Sequence, residues 1–286
     1  MKASVIVPTY NRPEELILAL KSLARQGRLP DEVVVADDGS GEKTRRAVEE
    51  FARSPGCPFP VIHAWQEDRG FRKPMILNEA VRRSSGDYLV FIDGDCIADP
   101  RFLASHLSFA EPRAILGGKR VELGRALSAR ALERGEPSPG TLPGLLWDSM
   151  VGDTRKVEEA VRIASPVLRK FLHRDRISDN GIWGCNFSIP RALFYSINGC
   201  DEEFTDGSIE DNDLGIRVLN GGGRIRSVRA LAIVFHLWHA ATWGFGSEKY
   251  LQNRRILERR IALKETRCVR GIVDFSSGAT AEPAGR

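Results

Sequence analysis

A few stretches of this chain combine residue type and spacing in ways that can do chemistry. Asp93-Gly94-Asp95 closes the apolar run Tyr88-Leu89-Val90-Phe91-Ile92. Two carboxylates one residue apart offer hard oxygen ligands to a divalent cation, and the glycine between them lets the chain bend. A solvated turn would read the same way in isolation, so the pair takes its meaning from its company. Glu210-Asp211-Asn212-Asp213 is a second acidic group, at an expected helix start. Capping accounts for acids there, because the helix dipole stabilises them by about 0.3–1 kcal/mol. The four acids between Asp206 and Asp213 exceed that need. His236-Leu237-Trp238-His239 follows the β-prone run Leu231-Ala232-Ile233-Val234-Phe235 and supplies imidazoles at a strand end. Lys73 stands just before Pro74, at a helix N-terminus that favours anions, although a plain surface lysine would look the same.

These groups need a scaffold. Ala3-Ser4-Val5-Ile6-Val7 reads as a strand ending in Pro8-Thr9-Tyr10-Asn11. Pro13, Glu14 and Glu15 open a helix with Leu16, Leu20 and Leu23 on its apolar face, and Gly27 stops it. Strands are expected at Glu32–Ala36, Val61–Trp65 and from Tyr88, separated by helices at about Glu42–Ala52 and Pro74–Arg83. This β-α-β-α-β-α-β order predicts an α/β fold, a mostly parallel Rossmann-like sheet with right-handed crossovers and helices flanking it. Thr9-Tyr10-Asn11, Asp37-Asp38, Gln66-Glu67-Asp68 and Asp93/Asp95 would then gather along one sheet edge, where ligands bind in such folds. No Gly-x-Gly-x-x-Gly follows the first strand, which argues against a dinucleotide fold.

Beyond Asp99 the alternation stops. Ala114–Gly118 reads as a strand, and residues 124–180, with Pro137, Pro139 and Pro143, read as an insertion with helix around Ser128–Glu133 and Val157–Phe171. A strand at Gly181–Ile189, a short helix to Ile197, an acidic helix start between Gly207 and Leu219 and a basic helix over Ser247–Lys264 complete the pattern.

Composition narrows the class. The 286 residues suffice for one large domain with a substantial core, and 42% hydrophobic with 28% charged residues describes an ordinary globular protein. A net charge of +4 fits anionic ligands without the dense basic stripe that nucleic acid demands. No apolar run reaches membrane-spanning length, and Pro8 arrives too early for a hydrophobic signal core, so a cytoplasmic location is expected. The basic helix leaves open a peripheral contact with the inner face of the membrane, although a solvated face is the more ordinary reading. Five scattered cysteines without a Cys-x-x-Cys indicate neither a zinc site nor a disulfide framework.

Four motifs, Val5-Ile6-Val7-Pro8-Thr9-Tyr10-Asn11-Arg12, Val33-Val34-Val35-Ala36-Asp37-Asp38-Gly39-Ser40, the strand ending Asp93-Gly94-Asp95, and Glu210-Asp211-Asn212-Asp213, resemble in order and spacing those of the family 2 glycosyltransferases. The second half, and the stretch Phe71–Asn78, are similar to the chondroitin-polymerase and β-1,4-galactosyltransferase branch. The resemblance implies a single GT-A domain. Residues 1–110 would form its nucleotide-sugar-binding half and 111–265 its acceptor-binding half, with the helical insertion at 124–180 and a disordered tail over 266–286. It implies a metal-dependent, inverting transfer from a nucleotide-diphosphate donor, a UDP-sugar by preference, to a glycan or glycolipid acceptor. Cell-surface polysaccharide or lipopolysaccharide biosynthesis would be the setting.

In that reading Asp95 is the direct metal ligand, with Mn²⁺ or Mg²⁺ as the ion, and His236 closes the coordination shell with His239 as the fallback. Imidazole beside carboxylate suits Mn²⁺ better than Ca²⁺. The resemblance puts Asp93 at the ribose, Asp38 on the pyrimidine ring and Asp211 in the role of base, with Asp213 its rival and Glu210 on a sugar hydroxyl. Pro8, Thr9 and Tyr10 would meet the nucleotide base, Phe71 would stack near it, and Lys73 would meet the diphosphate. Asp37 reads as a helix cap. Trp183 and Asn186 would begin the acceptor or sugar wall, since aromatic rings stack on sugar faces, although a core tryptophan is nearly as ordinary. Trp238 and Trp243 get the same reading more weakly. A nucleotidyltransferase, a non-catalytic sugar-nucleotide-binding relative and a retaining transferase are the alternatives. The first lacks its Gly-rich basic loop, the second would be expected to lose Asp95 or Asp211, and the third is decided by the anomer of the product. The oligomeric state is unread.

Overall fold

The computed structural model describes residues 1–177, 182–205, 209–240 and 247–273. β1 (Ala3–Thr9), α1 (Pro13–Ala24), β2 (Glu32–Asp37), α2 (Glu42–Arg53), β3 (Val61–Trp65), α3 (Lys73–Arg83) and β4 (Tyr88–Phe91) alternate as the hydrophobic pattern predicts. The chain continues through β5 (Cys96–Ala98), α4 (Phe102–Ser108), β6 (Ala114–Gly117) and β7 (Val121–Glu122). An insertion follows, with α5 (Arg125–Arg134), α6 (Leu142–Val151), a 3-10 turn at Val157–Ala160 and α7 (Pro166–Phe171). Then come β8 (Phe187–Pro190), α8 (Arg191–Ser196), α9 (Glu210–Asn220), β9 (Arg224–Ser227), β10 (Val234–His236) and α10 (Glu248–Leu263).

Seven strands form the main sheet in the order β3-β2-β1-β4-β8-β6-β9. β1 to β4 are parallel, β8 runs antiparallel to both β4 and β6, and β9 is parallel to β6. β1 is buried along its whole length, as a strand covered on both faces must be. Val5 and Val7 face a core with Leu16, Leu20, Val33 and Val90, while Ile6 faces a second with Val34, Leu77, Ala80 and Leu89. Phe187 stacks on Phe91 at 4.3 Å, so an aromatic pair fastens the two halves of the chain across β4 and β8. A second sheet, β5-β10-β7, sets His236 opposite Cys96 and packs Ile97, Val121 and Phe235 over Leu18.

The structure departs from the sequence reading where local signals are weak. The helix expected over Val157–Phe171 is two pieces, and the second opens at Pro166, whose ring cannot continue a helix from the preceding turn. α6 was not foreseen; Thr141 Oγ1 caps it by accepting from the Gly144 N–H at 3.3 Å, with Pro143 in its first turn. The strand expected from Gly181 begins only at Phe187, because Asn186 N–H turns back to the Trp183 carbonyl. The tail expected to be disordered from 266 is packed as far as 273. Asn198 Nδ2 donates to the Cys268 and Val273 carbonyls, and Cys268 and Ile272 are buried. Gly181, Asp206, Gly207, Trp243 and residues 274–286 lie outside the described residues.

Behind the acidic helix start sits a buried ion network. Asp213 pairs with Arg217 Nη2 at 2.7 Å and with Arg260 Nε at 2.8 Å, and Arg260 also grips Asp201. Arg260 thus bolts α10 to α9. Removing one partner of such a set leaves uncompensated buried charge. Arg260→Met is therefore expected to lower unfolding stability by about 3–5 kcal/mol, read from urea denaturation. A loss below about 1 kcal/mol, the range of an exposed pair, would overturn the structural role.

Candidate active site

The site is built on one tight turn. Gly94 N–H donates to the Pro8 carbonyl at 3.0 Å, and a Cβ on Gly94 would stand 2.7 Å from that oxygen. Only glycine lets the end of β4 lie this close to the end of β1. The turn sends its two carboxylates into different company.

Asp93 Oδ1 meets Lys73 Nζ at 3.1 Å, and the same ammonium lies 3.6 Å from Glu210 Oε1. Lys73 comes from the first residue of α3, and Glu210 and Asp211 from the first turn of α9. Asp211 Oδ2 accepts the Gly184 N–H at 2.6 Å and its Oδ1 accepts the Asn212 N–H at 2.8 Å. Pro8, Lys73, Gly184, Glu210 and Asp211 line one cleft. Burial works against the charge of Lys73, but Asp93, Glu210 and Asp211 outweigh it and hold the ammonium firmly charged. Burial pushes Glu210 up to about 7 against the pull of Lys73, and Asp211 adds to the rise. Burial likewise raises Asp211, against the Gly184 N–H and Lys73. A carboxylate with a raised pKa, beside a fixed cation, is suited to taking a proton near neutral pH.

Asp95 turns the other way. Its Oδ2 lies 3.5 Å from His236 Nε2, 3.2 Å from His239 Nε2 and 3.5 Å from Arg12 Nη1. Leu237 N–H donates to the Asp95 carbonyl at 2.9 Å, which locks the end of β10 against the turn. Burial opposes the charge of Asp95, yet His236 and His239 hold its carboxyl well below the usual range. The hydrogen bond to Asp95 in turn raises His239. His239 Nδ1 sits 2.8 Å from the Ala240 carbonyl, which puts a proton on Nδ1 and turns Nε2 toward Asp95. Ligand atoms of Asp95, His236 and His239 all fall within 4.8 Å of one another. One carboxylate and two imidazoles make a donor set that fits a first-row divalent ion. Both histidines reach Asp95, so His239 joins His236 instead of replacing it. Arg12 beside Asp95 was missed, although it stands in the first strand's motif.

At the nucleotide end, Asp38 Oδ2 accepts the Arg72 N–H at 2.8 Å and its Oδ1 accepts Gln66 Nε2 at 2.5 Å, so Asp38 ties down the loop carrying Phe71. Thr9 is buried and its carbonyl accepts the Asp38 N–H at 3.0 Å. Tyr10 is half-exposed and donates to Asp68 Oδ2 at 2.8 Å. Phe71 is partly buried ahead of α3. Asp37 caps through the Ser40 N–H at 2.7 Å and meets His63 at 2.9 Å, a structural role.

Two expectations fail on burial. Asn186 is fully buried, accepts from His106 Nε2 at 3.0 Å through Oδ1, and donates through Nδ2 to the Lys119 and Ala232 carbonyls, so it cannot face a sugar. Asp213 is fully buried in its ion pairs and cannot serve as a base in place of Asp211. Trp183 is no bare stacking wall either: Lys156, Lys119 and Arg120 stand 4.3, 5.2 and 5.6 Å from its ring centroid. The same holds for Trp238, which has Arg125 at 4.4 Å.

Comparison with known proteins joins these two carboxylate clusters to a family. The family model for glycosyl transferase family 2 matches residues 4–139, and that for the N-terminal domain of galactosyltransferase matches residues 170–240. Validoxylamine A glucosyltransferase of Streptomyces hygroscopicus subsp. limoneus is 32% identical over 228 residues, 75% of this chain and 47% of its own. Chondroitin synthase of Escherichia coli is 26% identical over 250 residues, 82% of this chain and 34% of its own. The chain belongs to glycosyl transferase family 2. It spans half or less of the length of these curated relatives. Its fold matches that of GalNAc-T7 solved with UDP, GalNAc and Mn²⁺, with a TM-score of 0.61 at 15% identity, over 90% of this chain and 48% of that one. This is the GT-A fold. In this family 2 chain the first matched segment carries Lys73, Asp93 and Asp95, and the second carries Glu210, Asp211, His236 and His239. The Asp93–Asp95 turn is where the two meet.

Proposed function

We propose that this family 2 glycosyltransferase is metal-dependent and inverting, and moves a sugar from a UDP-sugar to a hydroxyl of a glycan or glycolipid. The turn at Gly94 carries the reading, because it aims Asp95 at two imidazoles and Asp93 at the group that contains Asp211. When bound by Asp95, His236 and His239, a divalent ion supplies positive charge that favours departure of the diphosphate. Lys73, kept charged among three carboxylates, adds a second cation facing the same anion. Asp93 meets the ribose, while Asp38, Tyr10, Thr9, Pro8 and Phe71 hold the nucleotide. The acceptor oxygen bonds to the anomeric carbon as the carbon–oxygen bond to the diphosphate breaks, and Asp211 takes the hydroxyl proton. The Gly184 N–H fixes the carboxylate that does so, and Glu210 accepts from a sugar hydroxyl. The glucosyltransferase and chondroitin synthase relatives and the UDP–Mn²⁺ neighbour support a nucleotide-sugar donor. Among the described residues no helix is long and apolar enough to cross a membrane.

A panel of nucleotide sugars, turned over with Mn²⁺ and with a chelator, tests this. A UDP-sugar is expected to be consumed only with the ion, and NMR of the product should show the inverted anomer. Turnover indifferent to chelation, or a retained anomer, would overturn it.

A further inference from the structure

Three cations gather around Trp183, in the turn that leads to the Asp211 contact, and none of them belongs to the base or the metal-ligand set. Trp183 immediately precedes Gly184, the residue that holds Asp211, and three cations surround its ring at 4.3–5.6 Å. Asn186, whose Nδ2 donates to the Lys119 carbonyl, fixes the Lys119-Arg120 backbone against this turn. Among the described residues the nearby acids hold Lys156 but leave Lys119 and Arg120 without an ion-pair partner. Glu122 is already shared between Lys156 at 2.5 Å and Arg155 at 3.5 Å, and Glu159 between Arg174 and Arg229. Among the described residues neither Lys119 nor Arg120 forms an ion pair, and Arg120 Nε is buried without a hydrogen-bond partner. Burial and the nearby Arg229 make the charge of Lys119 costly as the site stands. An indole holds cations by its ring face but leaves their N–H donors free. The unpaired donors of Lys119 and Arg120 around this turn call for an anionic oxygen on the incoming molecule.

We propose that Lys119, Arg120 and Lys156, arrayed about Trp183, the residue before the Gly184 contact to Asp211, form an anion-binding subsite, and that the acceptor is a sugar bearing a carboxylate or phosphate near its reacting hydroxyl. This rests on the glycosyltransferase reading above. The sequence reading of Trp183 as a stacking wall becomes a different role: the ring organises the cations that recognise the acceptor.

The test titrates the protein, in the presence of UDP and Mn²⁺, with methyl glucuronide, glucose 6-phosphate and neutral methyl glucoside. One or both anions are expected to bind at least about 10-fold tighter than the neutral sugar at low ionic strength, with the advantage shrinking as salt is added. Which anion gains more separates carboxylate from phosphate. Lys119→Gln/Arg120→Gln should remove the preference and leave UDP affinity unchanged. Equal binding of charged and neutral sugars, or a preference that survives in the double variant, would overturn the subsite. So would weakened UDP binding in that variant, which would assign the cations to the donor diphosphate. UDP titrations of the same samples read the donor site separately. Intact UDP binding without an anion preference overturns the subsite alone, whereas loss of both overturns the glycosyltransferase reading with it.

Discussion

Asp211→Asn is expected to slow sugar transfer by about 10²–10⁴-fold, the span that a positioned general base contributes, while leaving UDP affinity unchanged. The amide oxygen can still accept the Gly184 N–H, so the loop and α9 keep their places and only the proton acceptor is lost. The pH profile gives an independent readout. Asp211 must be ionised to act, and burial raises it above the ordinary aspartate value, so activity should fall with acidification on a limb displaced upward from that value. Glu210, pushed to about 7, titrates with it as a coupled pair. Glu210→Gln removes a like charge facing Asp211. The acid limb should therefore move to lower pH, even as the lost contact to a sugar hydroxyl reduces turnover. Full activity in Asp211→Asn, or an acid limb moving upward in Glu210→Gln, would displace Asp211 from this role. Asp213 offers no substitute, since both of its oxygens are committed to arginines.

Asp95→Ala is expected to abolish the effect of Mn²⁺ on UDP binding. In the unaltered protein the ion should tighten UDP by at least about 10–100-fold, the range that even indirect disturbance of a metal site costs. In the variant, calorimetric titrations with and without Mn²⁺ should coincide. His239→Ala should give an intermediate loss, because His236 remains and Asp95 still faces it at 3.5 Å. The alanine at 95 also takes away the charge to which both imidazoles turn. A UDP affinity that ignores Mn²⁺ in the unaltered protein would end the metal account.

What the sequence disclosed follows from range. β1, β2 and β4 are covered on both faces, so they announce themselves as apolar runs, and the carboxylates at their ends stand out because nothing polar belongs inside. That is why Asp93, Asp95 and the first half of the sheet were legible. His236 was legible as a strand end, but the shared grip of His236 and His239 on Asp95 depends on β10 pairing with β5, whose three residues carry too little pattern to read. The role of Asn186 was invisible because its partners His106, Lys119 and Ala232 are far away in sequence. Arg217 lies four residues after Asp213, one helical turn on, yet Arg260 enters from another helix altogether. α6 gave no amphipathic signal because Leu146, Trp147 and Met150 are exposed.

The bolt between α9 and α10 has a consequence for how the molecule comes into being. Ribosomal synthesis delivers the donor strands first and Arg260 long afterwards. Until that arginine emerges, Asp201 and Asp213 lack their shared counter-charge, and the start of α9 lacks one of its ties. A nascent or C-terminally clipped chain can pair β1 to β4 while the network behind Asp211 is still incomplete. In the mechanism proposed above, completion of the base's surroundings is thus expected late, when the last described helix docks.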